Sequence, residues 1–253
     1  MEAVLKLITS VCNYSEAARI TIAEHATWQP TFVFVGLLSC SVPTALKAEL
    51  LHCLSALGKS SDIAFNIWQN IEAAQLINTI PNTSQNQARQ GLFAEIEDIE
   101  ARNEEYPLTR AVLKLIDTLT DHGLPDGLGT GTRLPGFKPY FNFIRDHIFL
   151  KFSTRAYKNP VEKWEIGALV LKLILKLLKD YVPNVQEFNA GQGSLGFGIM
   201  THLLQSSQML RLVLHLLGTY DMVSHKISII TIFGPKNFRE KLQRPLILIH
   251  IFN

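Results

Sequence analysis

Leu108, Val112, Leu115 and Leu119 recur at steps of four, three and four, which marks one apolar face of an α-helix. Arg110, Lys114 and Asp117 fall on the other side. The run in front, Glu104–Ala111 (EEYPLTRA), reads as a helix start. Pro107 suits the first helical position, where its missing N–H costs nothing. Glu104 and Glu105 stand just ahead of the positive end of the helix dipole.

The same pattern fills most of the chain. Glu2–Val11 and Ser15–Thr27 read as a first short pair, with Ser15 capping the second. Pro43–Leu57 opens on proline and ends at Gly58, read as a C-terminal cap with positive φ. Ser61 or Asp62 caps a helix carrying Ile63, Ile67, Ile71 and Ala74 as far as Pro81. Ser84–Asn103 is a mixed, acidic helix; Pro107–His122 stops at Gly123; Pro139–Lys151 is aromatic. Val161–Tyr181 is apolar around most of its circumference, with a predicted buried seam of Trp164, Ala168, Leu171, Leu175 and Leu178. Leu195–Gly218 closes the regular part.

Strand alternation is nearly absent before Lys226, so the predicted class is all-α, built of stacked antiparallel helix pairs. The helices starting near Leu46, Leu108 and Leu171 resemble one another, but Leu210 follows too closely for a fixed period. An irregular α-solenoid fits better than a strict tandem repeat. Two loops stand out, the glycine-rich Gly123–Gly136 and Val182–Ser194, read as plain spacers or as mobile, partner-binding connections. The predicted organisation is a solenoid segment over residues 1–218 and a divergent, poorly packed C-terminal tail over 219–253, whose clustered isoleucines mark an aggregation-prone ending.

Composition narrows the class. Apolar residues make up 47% and charged residues 18% of the 253, and mean hydropathy is +0.14. Such a chain is either a membrane protein or a slice of a larger assembly whose neighbours cover apolar faces. A spanning helix needs roughly 20 nearly uninterrupted apolar residues; Trp164–Leu178 is broken by Lys172 and Lys176, and Thr31–Val42 is too short. The start, with only Lys6 near Met1, lacks the pattern of a signal peptide. A net charge of +2 and a pI near 8.4 are too mild for a nucleic-acid footprint, which asks for a pI above ~9. The stripe Lys172, Lys176 and Lys179 is read as the solvated edge of a buried helix. Cys12, Cys40 and Cys53 form no CxxC pair and are odd in number, which disfavours a disulfide framework or a zinc site.

Candidate chemistry is thin. Gly191-Gln-Gly193-Ser-Leu-Gly196 satisfies GxGxxG, but the dinucleotide fingerprint needs a strand before it, and here a long helix and a proline loop lead in. Gly58-Lys59-Ser60 resembles the end of a phosphate loop, yet Cys53 stands where its first glycine belongs. Ser194 has Gln192 in place of the glycine a nucleophile elbow requires, and is read as a helix cap. His202 and His215 sit among leucines and read as core or boundary histidines rather than ligands. Glu95, Glu97, Asp98 and Glu100 read as a solvated acidic face. The aromatic and basic run Phe137–Tyr157, with Arg145, Lys151 and Arg155, reads as core packing with snorkelled charges rather than a single-stranded RNA platform. No catalytic, cofactor-binding or metal-binding residue is nominated, no cofactor is expected, and the chain is not read as an enzyme.

Four of these segments, ALKAELL (Ala45–Leu51), EEYPLTRA (Glu104–Ala111), PGFKPYFNFIRDHIFLKFSTRAY (Pro135–Tyr157) and EKWEIGALVLKLILKLLKDY (Glu162–Tyr181), resemble in order and spacing a segment of the large inner-ring scaffold nucleoporins of the 205 and 192 type. FGIMTHLLQSSQMLRLVLHLL (Phe197–Leu217) continues the resemblance, which ends at about Gly218. The resemblance implies an α-solenoid scaffold of the nuclear pore complex, at the nuclear envelope, without a catalytic site. Implied partners are other inner-ring and linker nucleoporins. No direct nucleic-acid contact and no transmembrane segment are expected, so the protein is peripheral to the envelope at most. The competing reading is a soluble helical-repeat adaptor or importin-like transport receptor. Such a receptor calls for a more regular period of ~40–47 residues.

Overall fold

The computed structural model describes residues 1–80, 91–125, 127–131, 133–190, 193–204 and 207–220. Among the described residues every regular element is helical and none is a strand. The helices are α1 (Glu2–Tyr14), α2 (Glu16–Ala23), α3 (Pro30–Leu38), α4 (Thr44–Leu57) and α5 (Ser61–Ala73). Then α6 (Leu92–Glu95) runs through a π turn (Ile96–Glu100) into α7 (Ala101–Asn103), followed by α8 (Pro107–Leu119). After it come α9 (Lys138–Phe143), extended by a second π turn (Ile144–Phe149), α10 (Pro160–Leu178), α11 (Val185–Ala190), α12 (Leu195–Leu204) and α13 (Ser207–Tyr220).

Local chemistry sets most boundaries. Ser15 ends α1 and caps α2, accepting from the Ala18 N–H at 3.2 Å. Pro107 is the first residue of α8, and a 3₁₀ turn (Thr120–His122) leads to Gly123 at φ 83°. Other boundaries differ from the pattern. Gly58 has φ −68°, so its role is not a left-handed cap. A Cβ there would lie 2.9 Å from Leu119 Cδ2, so a larger residue would have to push that side chain aside. Ser60 is the N-cap residue of α5 and makes no side-chain cap bond, so neither Ser61 nor Asp62 caps it. That helix stops at Ala73, short of Pro81, because Gln75 turns to φ 50° and bonds Glu72 and Thr79. The acidic helix is described only from Leu92 onward. α2 ends at Ala23 rather than Thr27, and α3 was not predicted, since PTFVFVGLL is apolar almost all round and offers no periodicity. α11 forms inside the Val182–Ser194 stretch read as loop. The closing segment from Leu195 holds α12 and α13.

Two compact units divide the chain, Met1–Val170 and Leu171–Asn253. In the first, α4 is the central element, packed on α8 on one side and α1 on the other, with α3 and α5 also against the body. The partners ascend together. Lys6 pairs with Glu49 and Thr9 faces Cys53, so α1 and α4 run parallel. Ser55 meets Thr118 at 2.8 Å and Gly58 abuts Leu119, so α4 and α8 also run parallel. The start of α10 follows the start of α8 in the same sense: Lys158 N–H donates to Glu104 O, and Arg110 pairs with Glu162 and Glu165. Each member of this row is reached only after intervening helices that lie outside it. In the second unit α12 packs on α13.

The buried face of α10 coincides with the predicted seam only at Leu171. Ile166, Val170, Leu171, Leu173 and Ile174 are buried, whereas Trp164, Ala168, Leu175 and Leu178 are half-buried. Lys163 lies over the Trp164 ring at 5.8 Å. A helix apolar on every side does not reveal which side is covered most. Of the predicted tail, Thr219 and Tyr220 belong to α13, and the rest lies outside the described residues.

Candidate functional site

The most polar buried constellation surrounds the start of α8. The first N–H groups of a helix lack intrahelical acceptors and carry partial positive charge, so buried ones need partners. Two carboxylates from distant elements supply them. Glu162 of α10 accepts from the Tyr106 N–H at 3.1 Å. Glu100 accepts from the N–H groups of Leu108 and Thr109, and from the Thr109 hydroxyl at 2.6 Å. Glu104 and Glu105, expected to face the dipole, do other work. Glu104 takes φ 57° to turn the chain, and Glu105 pairs at the surface with Lys158.

Around this core the contacts are dense. Arg110 Nε lies 3.2 Å from Glu162 and its Nη1 lies 2.8 Å from Glu165. Tyr106, fully buried, donates its hydroxyl to Ala156 O, packs its ring tilted against Tyr157 at 4.7 Å, and has the Arg155 guanidinium over its ring. Arg155 and Lys151 both reach Glu97, at 2.7 and 2.8 Å. Lys47, 1% exposed, donates to Glu95 and to Leu38 O. The acidic face read as solvated is therefore largely consumed: only Asp98 of its four carboxylates is exposed. The π turn explains how. Its wider winding turns Glu97 and Glu100 further apart around the axis than an α turn does, so one reaches the end of the aromatic helix and the other reaches α8.

Burial pushes the Glu100 carboxyl up to about 7, against the downward pull of the Thr109 and Leu108 donors. A raised carboxyl pKa is one mark of an acid–base catalyst. Here the group is 1% exposed and its oxygens are occupied. A cavity lined by Leu51, Trp68, Val112 and Tyr140 has a volume of about 10 Å³ and wholly apolar walls, barely the size of one water. The arrangement fastens helices to one another.

The other candidates are placed as follows. Phe137, Tyr140, Phe141, Phe143, Phe149 and Phe152 are buried, so the aromatic run is core, with its cations turned to acidic partners. Ser194 accepts from the Phe197 N–H and caps α12, and α11 precedes it where the dinucleotide motif needs a strand; Gly191 and Gln192 lie outside the described residues. His202 is half-buried, whereas His215 is exposed rather than at a core boundary. Lys172 and Lys179 are exposed and Lys176 is half-buried. Burial pushes the Cys53 thiol up to about 12 and raises that of Cys12, which makes both poor nucleophiles. Among the described residues no three His, Cys, Asp or Glu side chains converge to hold a metal ion, and no helix is long and apolar enough to cross a membrane. The glycine-rich loop is tied down: Gly129 donates to the buried Glu72 at 2.8 Å, and Leu134 N–H reaches Thr79 O.

One surface stands apart. On α1, Leu5 and Cys12 are buried, and Thr9 and Lys6 face α4. The opposite flank exposes Val4 (58%), Leu7 (64%), Val11 (41%) and Tyr14 (91%). Their spacing of three, four and three is a helical stripe.

Comparison with known proteins bears on all of this. Residues 1–240 match the family described as nuclear pore complex scaffold, nucleoporins 186/192/205. The chain is 42% identical over 260 residues to the human nuclear pore complex protein Nup205, covering 98% of this chain and 13% of that protein. It is also 42% identical over 215 residues to nuclear pore complex protein Nup205 of Drosophila melanogaster, covering 84% of this chain and 10% of that protein. The chain thus spans a small fraction of the length of these relatives. The likeness also continues past Gly218, where the sequence reading ended it. On these matches the chain belongs to the nuclear pore complex scaffold family of nucleoporins 186, 192 and 205.

Proposed function

We propose that this chain is a structural segment of the nuclear pore complex inner ring, at the nuclear envelope, and acts through protein–protein contacts rather than catalysis. The observation that carries the reading is the row of parallel helices α1, α4 and α8, continued by the start of α10, with an apolar flank open at α1. Parallel helices separated by intervening ones are what stacking of helix pairs produces in a solenoid. An open apolar flank on a stacked helix suits continued stacking against other protein surface. The partners in this reading are other inner-ring and linker nucleoporins, with no direct nucleic-acid contact.

A fluorescently tagged copy of the chain expressed in nucleated cells tests it. Signal concentrated at the nuclear rim, with co-purification of pore components, is expected. Diffuse signal with no pore component recovered overturns the scaffold reading, and binding of import cargo without rim signal favours the importin-like receptor. Deleting residues 219–253 tests the proposed division of the chain. Unchanged helicity with improved solubility supports a separate tail, whereas a fall in Tm of many degrees assigns it to the fold.

A further inference from the structure

We draw no further inference here: the strongest candidate, the open flank of α1 carrying Val4, Leu7, Val11 and Tyr14, is an unpartnered apolar face, and nothing in the structure shows what covers it.

Discussion

α1 and α8 are each thirteen residues long, and both are members of the same parallel row. α8 buries Leu108, Ala111, Val112, Leu113, Leu115, Ile116 and Leu119, and has its first N–H groups held by two buried carboxylates. α1 buries only Leu5 and Cys12, has no side-chain cap, and shows four large apolar residues to solvent. The two sequences are comparably amphipathic; what separates them is place in the row. A helix with neighbours on both flanks converts its apolar residues into stability, whereas one at an open edge leaves half of them in water.

That contrast sets the scale of mutational effects. Leu108→Ala is expected to cost ~2–5 kcal/mol, the range for truncating a fully buried leucine. Leu7→Ala on the open flank is expected to cost under about 0.5 kcal/mol, as for an ordinary surface change. Urea unfolding of the two variants checks the pair, and equal losses would mean that the two helices are equally buried in solution.

Glu100→Gln comes next. The amide keeps one acceptor but turns an NH₂ toward donors at the start of α8, so a loss of about 1–3 kcal/mol is expected, the cost of leaving buried polar groups unpaired. Thermal melts of this variant beside Glu105→Gln check it. Glu105 is a surface ion-pair partner, for which about 0–1 kcal/mol is the ordinary range.

A smaller effect is the pH dependence carried by Glu100. Its carboxyl is raised in the folded state from 4.5 to about 7. Between those values the folded chain holds a proton that the unfolded chain has lost, so the associated stabilisation is full below about 4.5 and disappears as pH rises through about 7. Melts from pH 4 to 8 should show wild type losing stability over this window relative to Glu100→Gln. Parallel curves would mean that the Thr109 and Leu108 donors hold the carboxyl near its ordinary value.

A small change in stability is also expected on replacing Val4, Leu7 and Val11 together with serine. Folding should shift by no more than about 1 kcal/mol, while self-association at high concentration should fall. Sedimentation and melting of the triple variant check both, and a collapse of the fold would show that the flank is covered within the chain.

Much of the fold was written locally. Pro107 placed the start of α8, Ser15 the break between α1 and α2, and the steps Leu108, Val112, Leu115 and Leu119 the buried face of α8. Where periodicity was weak, the reading failed. α3 was missed because PTFVFVGLL is apolar on nearly every side, and the α10 seam is fully buried only at Leu171 for the same reason. The acidic helix failed differently. Charge pattern alone points Glu95, Glu97 and Glu100 toward water, and only the approach of Lys47, Arg155 and Thr109 from other elements turns them inward.

By itself, then, the sequence determined the helical class, most helix positions and the family, because spacing, caps and motifs are encoded over a few residues at a time. The tertiary structure alone decided that Glu100 and Glu162 cap α8, that α1, α4 and α8 ascend side by side, and which flank of α1 stays open. Those features join residues that the chain separates widely, such as Tyr106 with Glu162 or Ser55 with Thr118. Which donor meets which acceptor across such distances follows from how the helices pack, and no local pattern records it.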